Sequence, residues 1–290
     1  MKSAKICHYL KFKEIHIENT NCCLYKCKMC PRDKLSRKLG VMSVEDFKLV
    51  LQRLEYLEQF EGTFHLHGFG EALLDQNLFE KIKLLKKKFP KSKAQIISTL
   101  GVKLKNDYFL KLIDAGLDAL MVSLYGFTKK TYQEIHGYDG FEIVKQNLLL
   151  LSQAQKKSNF FQVFIKSSPD LSLKPGKDFF AFLKKLEFDV GKSYAFHNFG
   201  DGRKYNAPNL KALCPVVGGI RKQILNITWD LNVIPCCYDY NSTICFGNLK
   251  KESLEQVFAN EKYFNFLLRH KLGDLAAYPI CQNCEKMDFA

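Results

Sequence analysis

The chain has 290 residues, 47% of them hydrophobic, enough to bury a full core as one large domain or one domain with a small appendage. No apolar run of about 18 residues occurs, so no membrane span is expected, and the N-terminus lacks the apolar stretch of a secretory signal. The net charge is +14, from 44 Lys+Arg against 30 Asp+Glu, a balance that can attract nucleic acid, membranes or anionic metabolites. The lysines nevertheless follow helix faces. Lys81, Lys83, Lys86, Lys87 and Lys88 lie between the apolar positions Leu78, Ile82, Leu85 and Phe89, the pattern of a solvated face. A nucleic-acid module would need a basic stripe with interleaved aromatics, so that role is not expected. With no export signal, the 11 cysteines are expected in a reducing cytoplasm, as metal ligands rather than disulfides.

In chain order, the first two-thirds alternate short apolar runs with amphipathic segments, the pattern of βα units around a parallel sheet. Strands are predicted at 14–18, 63–67, 94–98, 119–123, 160–166 and 193–196. The first helix begins at Ser43, with Asp46 three residues on as a capping box, and carries Phe47, Val50, Leu51 and Leu54 on one face. A second spans 77–88 and stops before Pro90; a third spans 107–115 and ends at Gly116 as a left-handed cap. Others follow at 128–135, 141–153 and 177–186. Six such repeats make a partial (β/α)6 barrel, with function at the C-terminal ends of its strands. At Gly200-Asp201-Gly202-Arg203 the pattern becomes linker-like. Beyond it, 224–229, a turn at 230–232 and 233–235 read as a β-hairpin, and short helices at 254–260 and 263–270 lead to Cys281 and Cys284. The expected organisation is α/β: a barrel domain over 1–200, then a small α+β domain with a hairpin over 201–290.

Directly after the first strand stand Cys23, Cys27 and Cys30, spaced C-x3-C-x2-C, with no fourth cysteine at a regular distance. Soft thiolates select zinc, copper(I) or iron–sulfur clusters. Structural zinc takes four ligands, whereas a four-iron cubane held by three cysteines keeps one iron open for chemistry. The bland alternative is a zinc knuckle. A second group, Cys214, Cys236, Cys237, Cys281 and Cys284, can supply four ligands to a closed site, and spacing alone leaves zinc and a cubane both open.

The segment Cys-Leu-Tyr-Lys-Cys-Lys-Met-Cys-Pro-Arg resembles the signature of the radical S-adenosylmethionine (SAM) superfamily, in the branch with a C-terminal SPASM or Twitch cluster domain. The resemblance implies a 4Fe-4S cluster on Cys23, Cys27 and Cys30 whose open iron is chelated by SAM. Cys214-Pro215, the hairpin with Cys236-Cys237, Phe246-Gly247-Asn248-Leu249 and Cys281-Gln282-Asn283-Cys284 look like Twitch. They imply one auxiliary 4Fe-4S cluster on Cys214, Cys236, Cys281 and Cys284. Cys237 is the alternative to Cys236, because neighbouring residues at a strand end point to opposite sides. Cys7, Cys22 and Cys245 are read as non-ligands.

Family strand-end motifs also have counterparts. His67-Gly68-Phe69-Gly70-Glu71-Ala72 resembles the Gly-Gly-Glu-Pro motif, which implies SAM contacts at Gly68, Gly70 and Glu71. Ser98-Thr99-Leu100-Gly101 is similar to the Thr-Asn-Gly type, with Leu100 in place of Asn; Ser123 and Lys166 end the next two strands and complete the implied SAM set. His65, His67, Tyr125, His197 and Asn198 are polar candidates near a substrate, none assigned as a base. The implied activity is reductive cleavage of SAM to a 5′-deoxyadenosyl radical that abstracts hydrogen, in a two-electron oxidation of a small carbohydrate-like metabolite. A low-potential donor such as a flavodoxin or ferredoxin supplies the electron. The nearest alternative is a maturase of a ribosomally made peptide; only about 22 residues precede the cysteine loop, short for a peptide-binding domain. The alternative from another class is a zinc- or cluster-binding nucleic-acid module.

Overall fold

A computed structural model of the chain describes residues 12–57, 59–158, 161–167, 176–192, 198–200, 214–218 and 224–284. Six parallel strands come first: β1 (Glu14–Ile17), β2 (Thr63–His65), β3 (Lys93–Ser98), β4 (Ala119–Ser123), β5 (Gln162–Ser167) and β6 (Val190–Lys192). They stand side by side in sequence order, each joined to the next by a helical crossover, which gives the open barrel expected from the βα periodicity. The sixth strand lies just before the predicted 193–196, which falls outside the described residues.

Helices α1 (Val44–Arg53), α2 (Leu78–Lys88), α3 (Tyr108–Asp114), α4 (Lys129–His136), α5 (Phe141–Gln155) and α6 (Lys177–Lys185) carry the crossovers. Ser43 caps α1 by accepting from the Asp46 N–H at 2.9 Å. The other half of the predicted box does not appear: the Asp46 carboxylate reaches Lys250 at 3.0 Å. A full capping box starts α4, where Thr128 and Thr131 cap each other, and Gly137 ends it in the left-handed conformation at φ 62°.

One expectation for α2 is corrected. Lys81 is not on the solvated face but fully buried, its ammonium 2.6 Å from Asp75. It also donates to the Met42 carbonyl, while Asn19 donates to Asp75 at 3.2 Å. Four residues from three segments thereby fix both ends of the loop between β1 and α1. Burial pulls the Lys81 pKa down, against the carboxylate beside it.

The hairpin is β7 (Ile224–Ile227) and β8 (Asn232–Ile234), followed by β9 (Gly247–Asn248). β7 pairs in parallel with β1, matching Glu14 to Ile224 and Ile17 to Ile227. The hairpin therefore continues the barrel sheet from the free edge of its first strand, in the order β6-β5-β4-β3-β2-β1-β7-β8-β9. Helices α7 (Pro215–Gly218), α8 (Leu254–Phe258), α9 (Glu261–Leu272) and α10 (Pro279–Gln282) complete this part, and Val216, Leu254, Phe258 and Phe266 share the core with Leu225 and Val233 of the hairpin. Apolar side chains facing out of the strands, such as Ile15, Ile17, Phe64, Leu66 and Ile96, form the core with the helices. Among the described residues no helix is long and apolar enough to cross a membrane.

Candidate active site

The cysteine loop leaves the C-terminal end of β1, and its backbone is held from three sides. Lys26 and Lys28 donate to the carbonyls of His136 and Ile135 at 3.0 and 2.9 Å, at the end of α4. The Glu71 N–H donates to the Cys22 carbonyl at 2.8 Å, from the loop after β2. Arg32 donates to the carbonyls of Asn21 at 2.6 Å and Phe69 at 2.7 Å, joining both loops. From the hairpin side, Trp229 Nε1 donates to Lys38 O at 3.2 Å and Asn241 donates to Lys34 O at 2.9 Å.

Glu18 is the hub of this clamp. Its carboxylate accepts from the two terminal Arg37 nitrogens at 2.5 Å and from the N–H groups of Phe69 and Trp229 at 3.0 and 3.2 Å. Arg37 in turn donates to Tyr240 O at 2.7 Å. A bidentate pair with both carboxylate oxygens occupied fixes the geometry of the loops it joins.

The two glycines of the β2 loop are required by close approach of the protein itself. A Cβ at Gly68 would overlap the Glu18 side chain, and one at Gly70 would overlap the carbonyls of Thr20 and Cys22. Glu71 is 2% exposed and accepts from Thr99 N at 3.0 Å, Thr99 Oγ1 at 2.8 Å and Leu73 N at 3.2 Å. Burial raises its pKa, opposed by those donors. Ser98 Oγ accepts from the Leu100 N–H at 2.9 Å. Leu100, where the family form has Asn, sits at φ 60°, a region asparagine tolerates better than leucine. Asn147 supports that turn by donating to the carbonyls of Leu100 and Val102, both at 2.7 Å.

These parts surround one cavity of about 350 Å³. Its wall includes Cys23, Cys27 and Cys30 together with Gly68, Gly70, Glu71, Ser98, Thr99 and Ser123. Lys166 pairs with Ser123 across β4 and β5, at the same level of the sheet. Of the polar candidates, His67 and Tyr125 line the cavity; His65 is turned to Glu14 instead. Asn198 is buried and structural, donating to Asn283 O at 2.9 Å; His197 lies outside the described residues. Adjoining is a recess of about 210 Å³ that shares His67, Gly68, Phe69 and Phe199 with the first cavity and reaches His16, Asn226 and Thr228. Burial, with the His16 and His65 rings nearby, holds the His67 pKa well below its usual value.

Cys214, Cys236, Cys281 and Cys284 line a second, largely apolar cavity with Phe266 and His270. Cys237 is exposed and faces the recess instead. Cys22 and Cys245 donate to the carbonyls of Gly40 and Gly247, at 3.7 and 3.3 Å. Cys7 lies outside the described residues.

Both cysteine groups fit iron–sulfur clusters by their chemistry. Burial pushes the Cys23 thiol up to about 11 and Cys27 beyond that, with Cys30 adding repulsion at Cys27. Burial and the charges of Cys214 and Cys284 act likewise on Cys281. Partly buried thiols gathered at one site ionise together only around a cationic centre, as a cluster provides. Three donors in one cavity and four in the other match an open and a closed cubane.

One residue at this site carries no motif. His136 is fully buried between the rings of Tyr25, Tyr125 and Tyr132. Its Nε2 lies 3.2 Å from the Tyr125 N–H, which can only donate, so Nε2 accepts and the ring proton sits on Nδ1. Nδ1 is 3.3 Å from Cys27 Sγ and therefore donates to sulfur. Burial holds the His136 pKa down to about 3, so the ring is neutral.

Comparison with known proteins agrees with this geometry. The Radical SAM superfamily profile matches residues 17–170, and a SPASM profile, an iron-sulfur cluster-binding domain, matches residues 214–285. The S-adenosyl-L-methionine-dependent 2-deoxy-scyllo-inosamine dehydrogenase of Niallia circulans is 23% identical, over 95% of this chain and 94% of that protein. A tungsten-containing aldehyde ferredoxin oxidoreductase cofactor-modifying protein of Pyrococcus furiosus is also 23% identical, over 95% of this chain and 88% of its own length. Among solved structures, BtrN in complex with AdoMet and 2-DOIA superposes with a TM-score of 0.65 at 20% identity, covering 95% of this chain and 94% of its own. Native anSMEcpe with bound AdoMet gives 0.63 at 14% identity, covering 96% of this chain and 92% of its own.

Proposed function

Because the chain belongs to the radical SAM superfamily, we propose that it is an oxidoreductase taking a hydrogen atom, a proton and an electron from an alcohol of a small carbohydrate-like metabolite. Its cofactors are 4Fe-4S clusters and SAM, which on one-electron reduction supply methionine and a 5′-deoxyadenosyl radical. In this reading Cys23, Cys27 and Cys30 hold the SAM-binding cluster. Gly68, Gly70, Glu71, Ser98, Thr99, Ser123 and Lys166 hold SAM across the strand ends. Cys214, Cys236, Cys281 and Cys284 hold an auxiliary cluster that accepts the substrate electron or braces its domain. Residues 1–200 form the SAM-binding unit and 201–290 the auxiliary unit, working in the cytoplasm with a flavodoxin or ferredoxin as donor.

The observation that carries the small-molecule reading is the recess of about 210 Å³ beside the SAM cavity. Its size suits one sugar-like ring, and His67 and Asn226 line it with polar groups of the kind that hydroxyls need. Near full-length colinearity with a 2-deoxy-scyllo-inosamine dehydrogenase supports the same class. The test is anaerobic turnover with SAM, a low-potential reductant and a deuterated cell extract split into small-molecule and peptide fractions. Deuterium entering 5′-deoxyadenosine from the small-molecule fraction is the expected result. Label from the peptide fraction alone would overturn the substrate class in favour of a peptide maturase.

A further inference from the structure

On the inner face of the sheet, β1 and β2 carry an imidazole–carboxylate cluster of Glu14, His16 and His65, of which His16 also lines the recess. Side chains alternate across a strand. Ile15, Ile17 and Phe64 are fully buried among the helices, so Glu14, His16 and His65 share the opposite face of the sheet. The register sets His16 beside His65, with Glu14 the next residue on that face of β1. Glu14 Oε2 lies 3.1 Å from His16 Nε2 and 3.4 Å from His65 Nε2. The three donor atoms all fall within 4.8 Å of one another.

The two carboxylate–imidazole spacings are close to the edges of a coordination shell. Bonds of about 2.0–2.2 Å to imidazole nitrogen and carboxylate oxygen put tetrahedral donors roughly 3.3–3.5 Å apart. Two imidazoles and one carboxylate with open positions form a donor set for ferrous iron, zinc and related ions. Charge points the same way: among the described residues, the ion-pair partners of Glu14 are the two imidazoles, with no lysine or arginine. The Glu14 side chain is 43% exposed, so water can reach the site and complete the shell. The cysteine loop leaves the C-terminal end of β1, at Ile17; Glu14 stands about 10 Å back along the strand at roughly 3.3 Å per residue, and His16 one residue back.

We propose that Glu14, His16 and His65 form a mononuclear site for a divalent first-row transition-metal ion, pinning β1 to β2 beneath the SAM cavity. The site shares His16 with the recess proposed for the substrate, and the zinc count below reads it with no organic substrate present.

The test uses the full chain with its cysteines occupied, reconstituted anaerobically with iron and sulfide. The protein is dialysed against micromolar zinc with a competing chelator, and zinc is counted by plasma mass spectrometry. One zinc per chain beyond the cluster metal is expected, with affinity falling at least tenfold in Glu14→Gln and further in His16→Gln/His65→Gln. Zinc should also raise the thermal unfolding midpoint of the unsubstituted chain and leave that of Glu14→Gln unmoved, since only a ligand bound to the native state stabilises it. Glu14 is half-exposed, which makes Glu14→Gln the variant least disturbing to folding. No zinc above the cluster background, or equal zinc in the chain and Glu14→Gln, would overturn the proposal and leave a carboxylate accepting two imidazole hydrogen bonds.

Discussion

Replacing His136 tests whether a residue without any motif tunes the SAM-binding cluster. The ring donates through Nδ1 to Cys27 Sγ at 3.3 Å, with its tautomer fixed by the Tyr125 N–H at Nε2. His136→Phe keeps the aromatic packing and removes both hydrogen bonds; His136→Gln can restore a donor to sulfur. A hydrogen bond to a charged acceptor is worth about 1.5–3 kcal/mol. It favours the reduced cluster more than the oxidised one, because reduction adds negative charge to the sulfurs. If about half that energy is differential, the loss is roughly 1 kcal/mol, or about 40 mV at the one-electron equivalence of 59 mV per tenfold. The midpoint potential should therefore fall by about 40 mV in His136→Phe, and by much less in His136→Gln. The assay is an anaerobic redox titration followed by electron paramagnetic resonance. Both variants are made in a Cys281→Ala/Cys284→Ala background, so that the N-terminal cluster alone reports. A potential unmoved in His136→Phe, or one lowered equally in both variants, would refute the hydrogen-bond reasoning.

Three further perturbations bear on the framework. Glu71→Ala leaves Thr99 N, Thr99 Oγ1 and Leu73 N without their acceptor; anaerobic urea unfolding should show a loss of about 2–4 kcal/mol, and an unchanged midpoint would contradict the buried role of this carboxylate. Gly70→Ala puts a Cβ against the carbonyls of Thr20 and Cys22 and should cost about 1–3 kcal/mol by overpacking. Iron retained at the SAM-binding cluster should drop with it, and full iron content with unaltered stability would be the contrary result. Lys81→Met leaves the Asp75 carboxylate buried without its cation; the expected cost is about 3–5 kcal/mol, and a loss under about 1 kcal/mol in the same assay, typical of a surface pair, would show the pair to be dispensable.

The barrel was legible because its signals are local. Apolar periodicity marked the strands and helices, and Cys23, Cys27 and Cys30 sit within eight residues of one another. Gathering Glu71, Thr99 and Ser123 into one cavity follows from the rule that strand ends converge on one face of such a barrel. What stayed hidden depends on pairing between distant segments. Nothing local indicates that β7 would dock beside β1, because an edge strand's partner is chosen by the whole sheet. Lys81 reads as one more surface lysine until Asp75 and the Met42 carbonyl are brought beneath it. His136 is separated from Cys27 by 109 positions, and only the fold brings them together. The Glu14 cluster likewise arises from the register between β1 and β2, which single-strand alternation does not fix.

Reductive cleavage of SAM by the anaerobically reconstituted chain, set beside its Cys27→Ala variant, tests the central claim most directly. With a low-potential reductant, the unsubstituted chain should carry iron at both cysteine groups and release 5′-deoxyadenosine. Cys27→Ala should keep the auxiliary iron and release none. Zinc in place of iron, or 5′-deoxyadenosine released equally by both proteins, would contradict the assignment of Cys23, Cys27 and Cys30 as the seat of radical chemistry.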